Sequence, residues 1–242
     1  MIQVKALNKS FGSFSILKDI SFSVQKGEIV GFLGENGAGK TTLMRIITSY
    51  LVPTSGKVIV GGFDLSRAGF KARKMIGYLP ETPPLYPSMT VEGYLNFAGR
   101  LRNLSGEVLK RNLNKVLGDC QLTAVRRQVI GTLSKGFKQR VGIAQALIHD
   151  PAILILDEPT NGLDPVQVQQ VRDIIRAAEG ERTVIVSTHI LNEVEHLAKR
   201  IILIKSGQIL KDVLLDDYLM GEDGQRATLE QRFLKEVGWR NG

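Results

Sequence analysis

The chain has 242 residues, of which 43% are hydrophobic and 23% are charged, and its formal net charge is +8. This composition is typical of a globular protein and excludes long disordered and collagen-like chains. The longest apolar runs, 152–156 and 201–204, are much shorter than the about 18 residues that cross a bilayer, so no membrane-spanning helix is expected. Cys120 is the single cysteine, which excludes an internal disulfide and a thiolate metal cluster. The first residues lack a signal-peptide pattern, and the chain is expected to stay in the cytosol.

The positive charge is concentrated in residues 67–140, which hold 14 Lys and Arg against four Asp and Glu. That segment carries a net charge of +10, and the rest of the chain sums to −2. Aromatic residues make up only 6% of the chain, and no zinc-finger spacing or stacking platform accompanies the basic residues, so nucleic acid is not an expected partner. The pattern favours a solvated helical surface. A surface that faces anionic lipid or a membrane partner is the alternative.

The first third of the chain predicts β-structure, with short apolar strands at 28–33 and 57–60. From 66 to 128 the spacing of the apolar residues becomes helical. The segment 81–90 contains three prolines and is predicted to be a loop. Thr90 is predicted to cap the helix that follows, with Gly93 as a weak point in its first turn.

After residue 151 the pattern alternates between strand and helix. Aliphatic strands are predicted at 152–156 and 183–186, and helices at 167–178 and 191–199 follow them. The runs 201–205 and 208–211 predict a closing hairpin. Residues 229–237 predict a helix with one apolar face that packs on the protein's own core. No internal repeat occurs, and the fold class is α/β with a mostly parallel sheet.

The segment 34–42, GENGAGKTT, fits the pattern G-x4-G-K-[ST] and lies between the predicted strand 28–33 and a helical run at 41–48. Glycines let successive backbone N–H groups converge on a phosphate, and the helix amino terminus adds a favourable field. Lys40 is predicted to lie between the β- and γ-phosphates, and the Thr41 hydroxyl to bind Mg²⁺. Because no Asn-Lys-x-Asp motif is present, guanine specificity is not expected. The predicted nucleotide-binding residues of this loop are Gly34, Asn36, Gly37, Ala38, Gly39, Lys40, Thr41 and Thr42.

Two adjacent acids, Asp157 and Glu158, end the aliphatic strand near 152–156. Successive side chains of an extended segment point to opposite sides, so the two acids are predicted to have different tasks. Asp157 is predicted to hold Mg²⁺, and Glu158 to polarise the water that attacks the γ-phosphate. An acidic helix cap is the alternative for such a pair, and the phosphate loop favours the catalytic interpretation.

Five further segments accompany these two motifs: Phe11, 76–81 (IGYLPE), 133–140 (LSKGFKQR), 162–165 (GLDP) and 187–189 (STH). From about residue 2 to residue 212 the chain resembles the nucleotide-binding subunits of ABC (ATP-binding cassette) transporters. In that family the five positions correspond to the adenine-stacking aromatic, the Q-loop, the signature, the D-loop and the switch histidine.

The resemblance implies a P-loop NTPase core with an N-terminal antiparallel β lobe and an inserted helical subdomain. It implies a single ABC ATPase domain over 1–242. The catalytic core would comprise 1–80 and 151–212, the helical subdomain with the signature about 81–150, and the tail 213–242.

The resemblance also implies roles for individual residues. Ser134 and Gly136 precede a helical run predicted at 139–148, where a hydroxyl and free N–H groups can meet an anion. In the family that anion is the γ-phosphate of ATP bound to the opposite subunit, so a head-to-tail homodimer, or a heterodimer with a related ATPase, is implied. The other implied site residues are Phe11 at adenine, Glu81 at Mg²⁺, Asp164 in the D-loop, and His189 at the γ-phosphate and Glu158.

Two departures from the family pattern affect the site. Glu81 stands where the Q-loop usually has Gln, which adds negative charge near the phosphates. Lys135 and Phe137 replace Gly and Gln in the signature, which adds a cation and removes a polar contact. These departures resemble the exporter branch of the bacterial family, including ATPases similar to those of gliding-motility and sodium-export systems.

The resemblance implies an ATPase that binds ATP and Mg²⁺ and drives substrate export by a separate membrane permease. It would act at the cytoplasmic face of the cell membrane, with 81–104 as the docking region for a permease helix. One alternative is a soluble ABC ATPase that acts on ribosomes or DNA, which usually has two cassettes or a long coiled coil. Another is a regulatory ATP sensor with negligible turnover.

Overall fold

The structure, a computed structural model, describes residues 1–220 and 226–236. Its strands form two sheets, with four strands in the order β2-β1-β4-β5 and six in the order β10-β9-β3-β8-β7-β6. The predicted α/β fold with an antiparallel lobe is confirmed. The strands are β1 (Ile2–Phe11), β2 (Phe14–Val24), β3 (Ile29–Leu33), β4 (Ser55–Val60), β5 (Phe63–Asp64), β6 (Ile76–Leu79), β7 (Ile153–Asp157), β8 (Thr183–Thr188), β9 (Arg200–Lys205) and β10 (Gln208–Leu214).

The four-stranded sheet is antiparallel throughout. Ile2 lies opposite Val24 of β2 on one side and opposite Val60 of β4 on the other. Register shifts between Val4 and Leu7 bend β1.

The six-stranded sheet is parallel from β6 to β9, and only β10 runs antiparallel, in the hairpin with β9 that the sequence predicts. Strands β3, β6, β7 and β8 are buried along their whole length, as is typical of a sheet covered on both faces. The helical interpretation of 66–128 is wrong at β6. Its four residues pair in register with β7, and a Cβ at Gly77 would lie 2.2 Å from the Ala146 carbonyl oxygen.

A helix occurs at each place where the sequence predicts one, although several boundaries differ, and the helix at Leu215–Met220 was not among the predicted ones. The signature helix α5 begins four residues before the predicted start at 139, because the Ser134 hydroxyl accepts a hydrogen bond from Phe137 N (3.4 Å) and caps it. The Thr90 cap is confirmed by a bond from Gly93 N (3.1 Å). The helices are α1 (Lys40–Ile47), α2 (Leu65–Lys74), α3 (Val91–Leu101), α4 (Gly106–Asp119), α5 (Lys135–Leu147), α6 (Pro165–Arg176), α7 (Leu191–Leu197), α8 (Leu215–Met220) and α9 (Leu229–Glu236).

Apolar residues form three clusters. One lies between the six-stranded sheet and helices α3 to α5, and it buries the free thiol of Cys120, whose pKa burial raises. A second joins the two sheets around α1. In the third, Leu229 and Phe233 of α9 pack near α7 and α8, which confirms the expected packing of this helix, whereas Val237 lies outside the described residues. In the described part of the chain, no helix is both long and apolar enough for a bilayer crossing.

Candidate nucleotide-binding site

The phosphate loop connects β3 to α1, and its shape requires glycine. Gly39 precedes the helix with φ +107°, and Gly37 has φ +81°, both in the region that favours glycine. A Cβ at Gly34 would lie 2.4 Å from the Ile204 carbonyl oxygen. The loop therefore holds a conformation in which backbone N–H groups can converge on an anion at the start of α1.

Lys40 lies inside this loop and is only 5% exposed. Its ammonium group donates to the carbonyl oxygens of Gly34 (2.6 Å) and Glu35 (3.2 Å), and its Nζ lies 3.4 Å from Glu158 Oε1. These oxygens satisfy a buried cation without a nucleotide. A phosphate group that enters the loop would compete with them for the same ammonium.

Glu158 and His189 meet where β7 and β8 end. The His189 ring Nδ1 lies 2.9 Å from Glu158 Oε2, and the backbone N–H of Glu158 donates to the Ser187 carbonyl (2.8 Å). Glu158 directly follows β7 and has φ +50°, which is uncommon for a residue with a side chain. The Glu158 carboxylate therefore contacts both a cation and an imidazole.

Asp157 contacts a different group, as the opposite directions of neighbouring side chains predict. It is fully buried, its Oδ1 accepts from the Ser187 hydroxyl (2.9 Å), and its Oδ2 has no hydrogen-bond partner within the described residues. Burial raises the pKa of Asp157, the Thr41 and Ser187 hydroxyls partly oppose that shift, and the charges of Glu158 and Glu81 increase it. A buried acid oxygen without a partner, next to a hydroxyl and a second carboxylate, is suited to a hard cation.

These groups surround a pocket of about 410 Å³. It brings together most of the predicted phosphate loop with Glu81, Glu158 and His189. The pocket is lined by Ile16, Glu35, Asn36, Gly37, Gly39, Lys40, Thr41, Thr42, Glu81, Glu158, Asn161 and His189. The predicted site residues that do not line it are Phe11, Gly34, Ala38, Ser134, Gly136, Asp157 and Asp164.

Sequence reasoning missed three lining residues: Ile16, Glu35 and Asn161. Asn161 Nδ2 donates to Glu81 Oε1 (3.4 Å), which links the loop after β7 to the Q-loop position. Its place three residues after Glu158 is the signal that could have found it. Ile16 lies on β2, far from the motif in sequence, and no local pattern indicates it.

Phe11, the predicted adenine contact, ends β1 opposite Phe14 in the first hairpin. The residue is 49% exposed, and the Lys9 ammonium lies 4.7 Å from the ring centroid. It is therefore an accessible aromatic ring outside the lining of the pocket.

The signature and D-loop residues lie next to each other and apart from the pocket lining. Gly136 lies in the first turn of α5, where a Cβ would be 2.4 Å from the Gln167 side chain of α6. Asp164 caps α6, since its Oδ1 accepts from Gln167 N (2.9 Å). The first turn of α5 contains no acid, and Lys135, exposed there, forms no ion pair with any described residue. This helix end is therefore electropositive, and Ser134 and Lys135 are exposed there, whereas Gly136 is buried.

A larger cavity of about 820 Å³, here called the aromatic groove, lies away from the phosphate loop between α2, α3 and the segment before α3. Aromatic side chains and positively charged side chains together line the aromatic groove. They include Tyr50, Phe70, Arg73, Lys74, Tyr86, Phe97 and Arg102. Arg102 also donates to the Arg73 carbonyl (3.0 Å), and burial lowers its pKa.

Comparisons with known proteins agree with this geometry. The family model of the ABC transporter matches residues 17–161. The uncharacterised ABC transporter ATP-binding protein YdbJ of Bacillus subtilis (strain 168) is 40% identical over 245 residues, which cover 100% of this chain and 78% of the relative. The lantibiotic transport ATP-binding protein SrtF of Streptococcus pyogenes is 40% identical over 212 residues, 87% of this chain and 89% of the relative.

A solved structure described as the dimeric form of MJ0796, a bacterial ABC transporter cassette, has a TM-score of 0.81 at 27% identity and covers 89% of this chain and 99% of that one. The family model spans more than half of the chain, and the relatives align over most of their length. The chain therefore belongs to the ABC transporter family, as an ATP-binding subunit with ATPase activity.

Proposed function

We propose that this ATPase powers substrate export by a separate membrane permease, and that two subunits close over two ATP molecules to do so. One observation carries the proposal. Lys40, Glu158 and His189 share the pocket, whereas Ser134 and Gly136 of the signature do not line it. A signature that presents an electropositive helix end away from its own pocket is suited to the γ-phosphate of a partner's ATP.

Mg²⁺ is part of the proposal because the residues fit it. The orphaned Asp157 Oδ2, the Thr41 hydroxyl and Glu81 are oxygen donors of the kind that Mg²⁺ prefers. Among the described residues, no group of three or more His, Cys, Asp or Glu could hold a metal alone. This agrees with an ion that protein and nucleotide phosphates bind together. When bound, Mg²⁺ would neutralise charge on the phosphates.

The chain's own residues divide the remaining chemistry. Lys40 exchanges Glu158 for phosphate oxygens when ATP enters, which frees the Glu158 carboxylate to accept a proton from water. His189 holds that carboxylate through the 2.9 Å contact and fixes its direction. Lys40 and Glu158 thus change partners between the resting state and hydrolysis, whereas His189 keeps its contact with Glu158.

The dimer would be a homodimer or a heterodimer with a related ATPase. ATP favours the closed dimer only as far as it binds that state more tightly than the open one. We assign this difference to contacts that Ser134 and Gly136 make across the interface. The similarity to a cassette whose structure is described as dimeric supports this assignment.

Export through a permease rests on the relatives and on the aromatic groove. SrtF is named as a lantibiotic transport ATP-binding protein, and YbhF of Escherichia coli (strain K12) as a probable multidrug one. The groove combines rings with Arg73, Lys74 and Arg102, which suits an amphipathic permease helix that carries acidic residues. Its lining includes Pro84, Tyr86 and several residues between 94 and 104 of the expected docking region 81–104. Such docking would place the subunit at the cytoplasmic face of the membrane.

The test uses Glu158→Gln in the full chain. Hydrolysis should fall by at least about 100-fold, the loss typical of a missing general base, and a Mg·ATP-dependent dimer should accumulate in light scattering after gel filtration. Adding Ser134→Ala should abolish that dimer. Thr90→Ala, which also removes a helix cap, is the matched control and should retain it. Full-rate hydrolysis by a strict monomer would refute the sandwich, and failure to co-purify with any permease would refute the transport role.

A further inference from the structure

Helix α2 carries part of the positive charge of residues 67–140, and the nucleotide chemistry does not use it. The segment 65–80, which begins with this helix, contains four basic residues and no acid. Ala72 is the buried residue of the helix, so most of its other side chains face outward. All four basic residues are exposed: Arg67, Lys71, Arg73 and Lys74.

The charge of these four residues is not compensated within the described part of the chain, since none of them forms an ion pair there. Asp64, the acid just before the helix, caps it and pairs with Lys57 (3.1 Å) instead. Lys71 and Lys74 are three residues apart, a spacing at which like charges on a helix repel each other. An anionic surface placed against α2 would therefore relieve this repulsion.

Exposed apolar side chains lie beside these cations. Tyr50, Phe70 and Leu101 are 73%, 61% and 68% exposed, and all three line the aromatic groove. The Lys74 Nζ lies 4.8 Å from the centroid of the Phe70 ring. No acid occurs among the described residues that line the groove. Exposed apolar side chains next to unpaired cations are typical of a protein surface that lies on an anionic bilayer.

Arg67 and Lys71 differ from the other two cations because they do not line the groove. A permease helix seated in the groove would therefore leave both of them uncovered. Neither side chain makes a hydrogen bond to any residue that the structure describes. Lipid headgroups in a fluid bilayer have no fixed positions, so mobile cations of this kind suit them better than they suit one fixed set of acceptors.

We propose that α2, together with the exposed rim of the aromatic groove, binds anionic lipid headgroups directly. Arg67, Lys71 and Lys74 supply the electrostatic contacts, and Phe70 supplies an apolar contact with the bilayer interface. The attraction would concentrate the subunit at the membrane surface before it meets its permease. The inference goes beyond the proposed function, because it requires only a lipid surface and no permease.

The experiment measures co-sedimentation of the full chain with vesicles of phosphatidylcholine alone and with vesicles in which about one third of the lipid is phosphatidylglycerol. The wild type should bind the anionic vesicles and not the neutral ones. Raising the salt from about 0.1 M to about 1 M should abolish most of the binding, because the Debye length falls from about 10 Å to about 3 Å. Phe70→Ala should weaken binding at low salt at least about threefold, since an apolar contact is lost.

A pair of double variants separates a local surface from the net charge of the chain. Arg67→Gln with Lys71→Gln should lower the partition coefficient on anionic vesicles at least about tenfold, because each basic residue near such a surface contributes a factor of about five. The matched control is Arg111→Gln with Lys115→Gln, which removes two exposed charges from α4, outside the groove lining. It should change the coefficient less than about twofold.

Absence of wild-type binding to the anionic vesicles would overturn the proposal. An equal loss of binding in the two double variants would also overturn it, because diffuse attraction by the net charge would then explain the binding. Both double variants should retain the circular dichroism spectrum and the ATPase rate of the wild type, since neither touches the nucleotide pocket. Co-purification with a permease and the Glu158→Gln dimer test the proposed function separately, so a negative vesicle result leaves that function standing.

Discussion

Glu193, in the first turn of α7, is 1% exposed, and its burial has a thermodynamic consequence that can be measured without turnover. Its pKa rises from 4.5 to about 7 on folding. Between these values the native state retains a proton that the unfolded chain has lost, so the free energy of unfolding falls as pH rises through this window. At 1.36 kcal/mol per pKa unit, the full effect is about 3 kcal/mol, and about 2 kcal/mol of it develops between pH 5 and pH 7. Glu193→Gln removes this dependence.

The assay is urea unfolding of the wild type and the variant at several pH values, with the free energy of unfolding extrapolated to water. The advantage of Glu193→Gln over the wild type should grow by about 2 kcal/mol from pH 5 to pH 7 and then level off. His149, whose pKa burial lowers to about 4, also titrates on unfolding, but it does so in both proteins and cancels in the difference. A difference that stays constant with pH would show that Glu193 is ionised in the native state and would refute the reasoning.

Three further substitutions test the charges of the site and the groove. Lys40→Ala should abolish Mg·ATP binding in calorimetry, because the pocket loses its buried cation, and binding within twofold of the wild type would contradict this. In a Glu158→Gln background, Lys135→Glu should raise the dissociation constant of the ATP-dependent dimer at least tenfold, about 1.4 kcal/mol, as measured by analytical ultracentrifugation. Lys138→Glu, one turn further along α5, should change this constant less. Arg102→Glu, inside the aromatic groove, should reduce co-purification with the permease. Arg100→Glu, at an exposed position outside the groove lining, should not reduce it. An equal loss of co-purification in both variants would indicate a diffuse charge effect.

The sequence predicts those parts of the fold in which a local pattern is compatible with only one kind of structure. The loop around Lys40 combines glycines, a preceding aliphatic strand and a following helix. These three features together identify a phosphate loop. The predicted start of α5 lies too late because Gly136 opposes a helix locally, whereas the Ser134 cap and the packing of Gly136 against Gln167 stabilise one. The pattern does not predict strand β6, because four residues carry too little periodicity to separate strand from helix.

The composition of the pocket was only partly predictable, because it depends on contacts between segments distant in sequence. Ile16 enters it from β2, and no motif surrounds that residue. Glu193 and Glu195 are equally polar in the sequence and lie on the same short helix, yet one is buried and the other exposed. Val194, between them, packs closely against Gly31 of β3, and a single sequence does not contain that contact.

The distribution of buried charge fits the proposal that Mg²⁺ and nucleotide phosphates complete the site. Glu158 contacts Lys40 and His189, and Glu193 has Arg172 nearby, but Asp157 Oδ2 has no partner in the described structure. Burying acids with too few hydrogen bonds reduces stability, and proteins retain such groups where function uses them. A Mg²⁺ ion would compensate Asp157, and phosphate oxygens would take Lys40 from Glu158. After these two exchanges, the directions of the Asp157 and Glu158 carboxylates are already fixed by the fold. Polar groups that are fixed in this way stabilise the charge that develops during a reaction without further reorganisation.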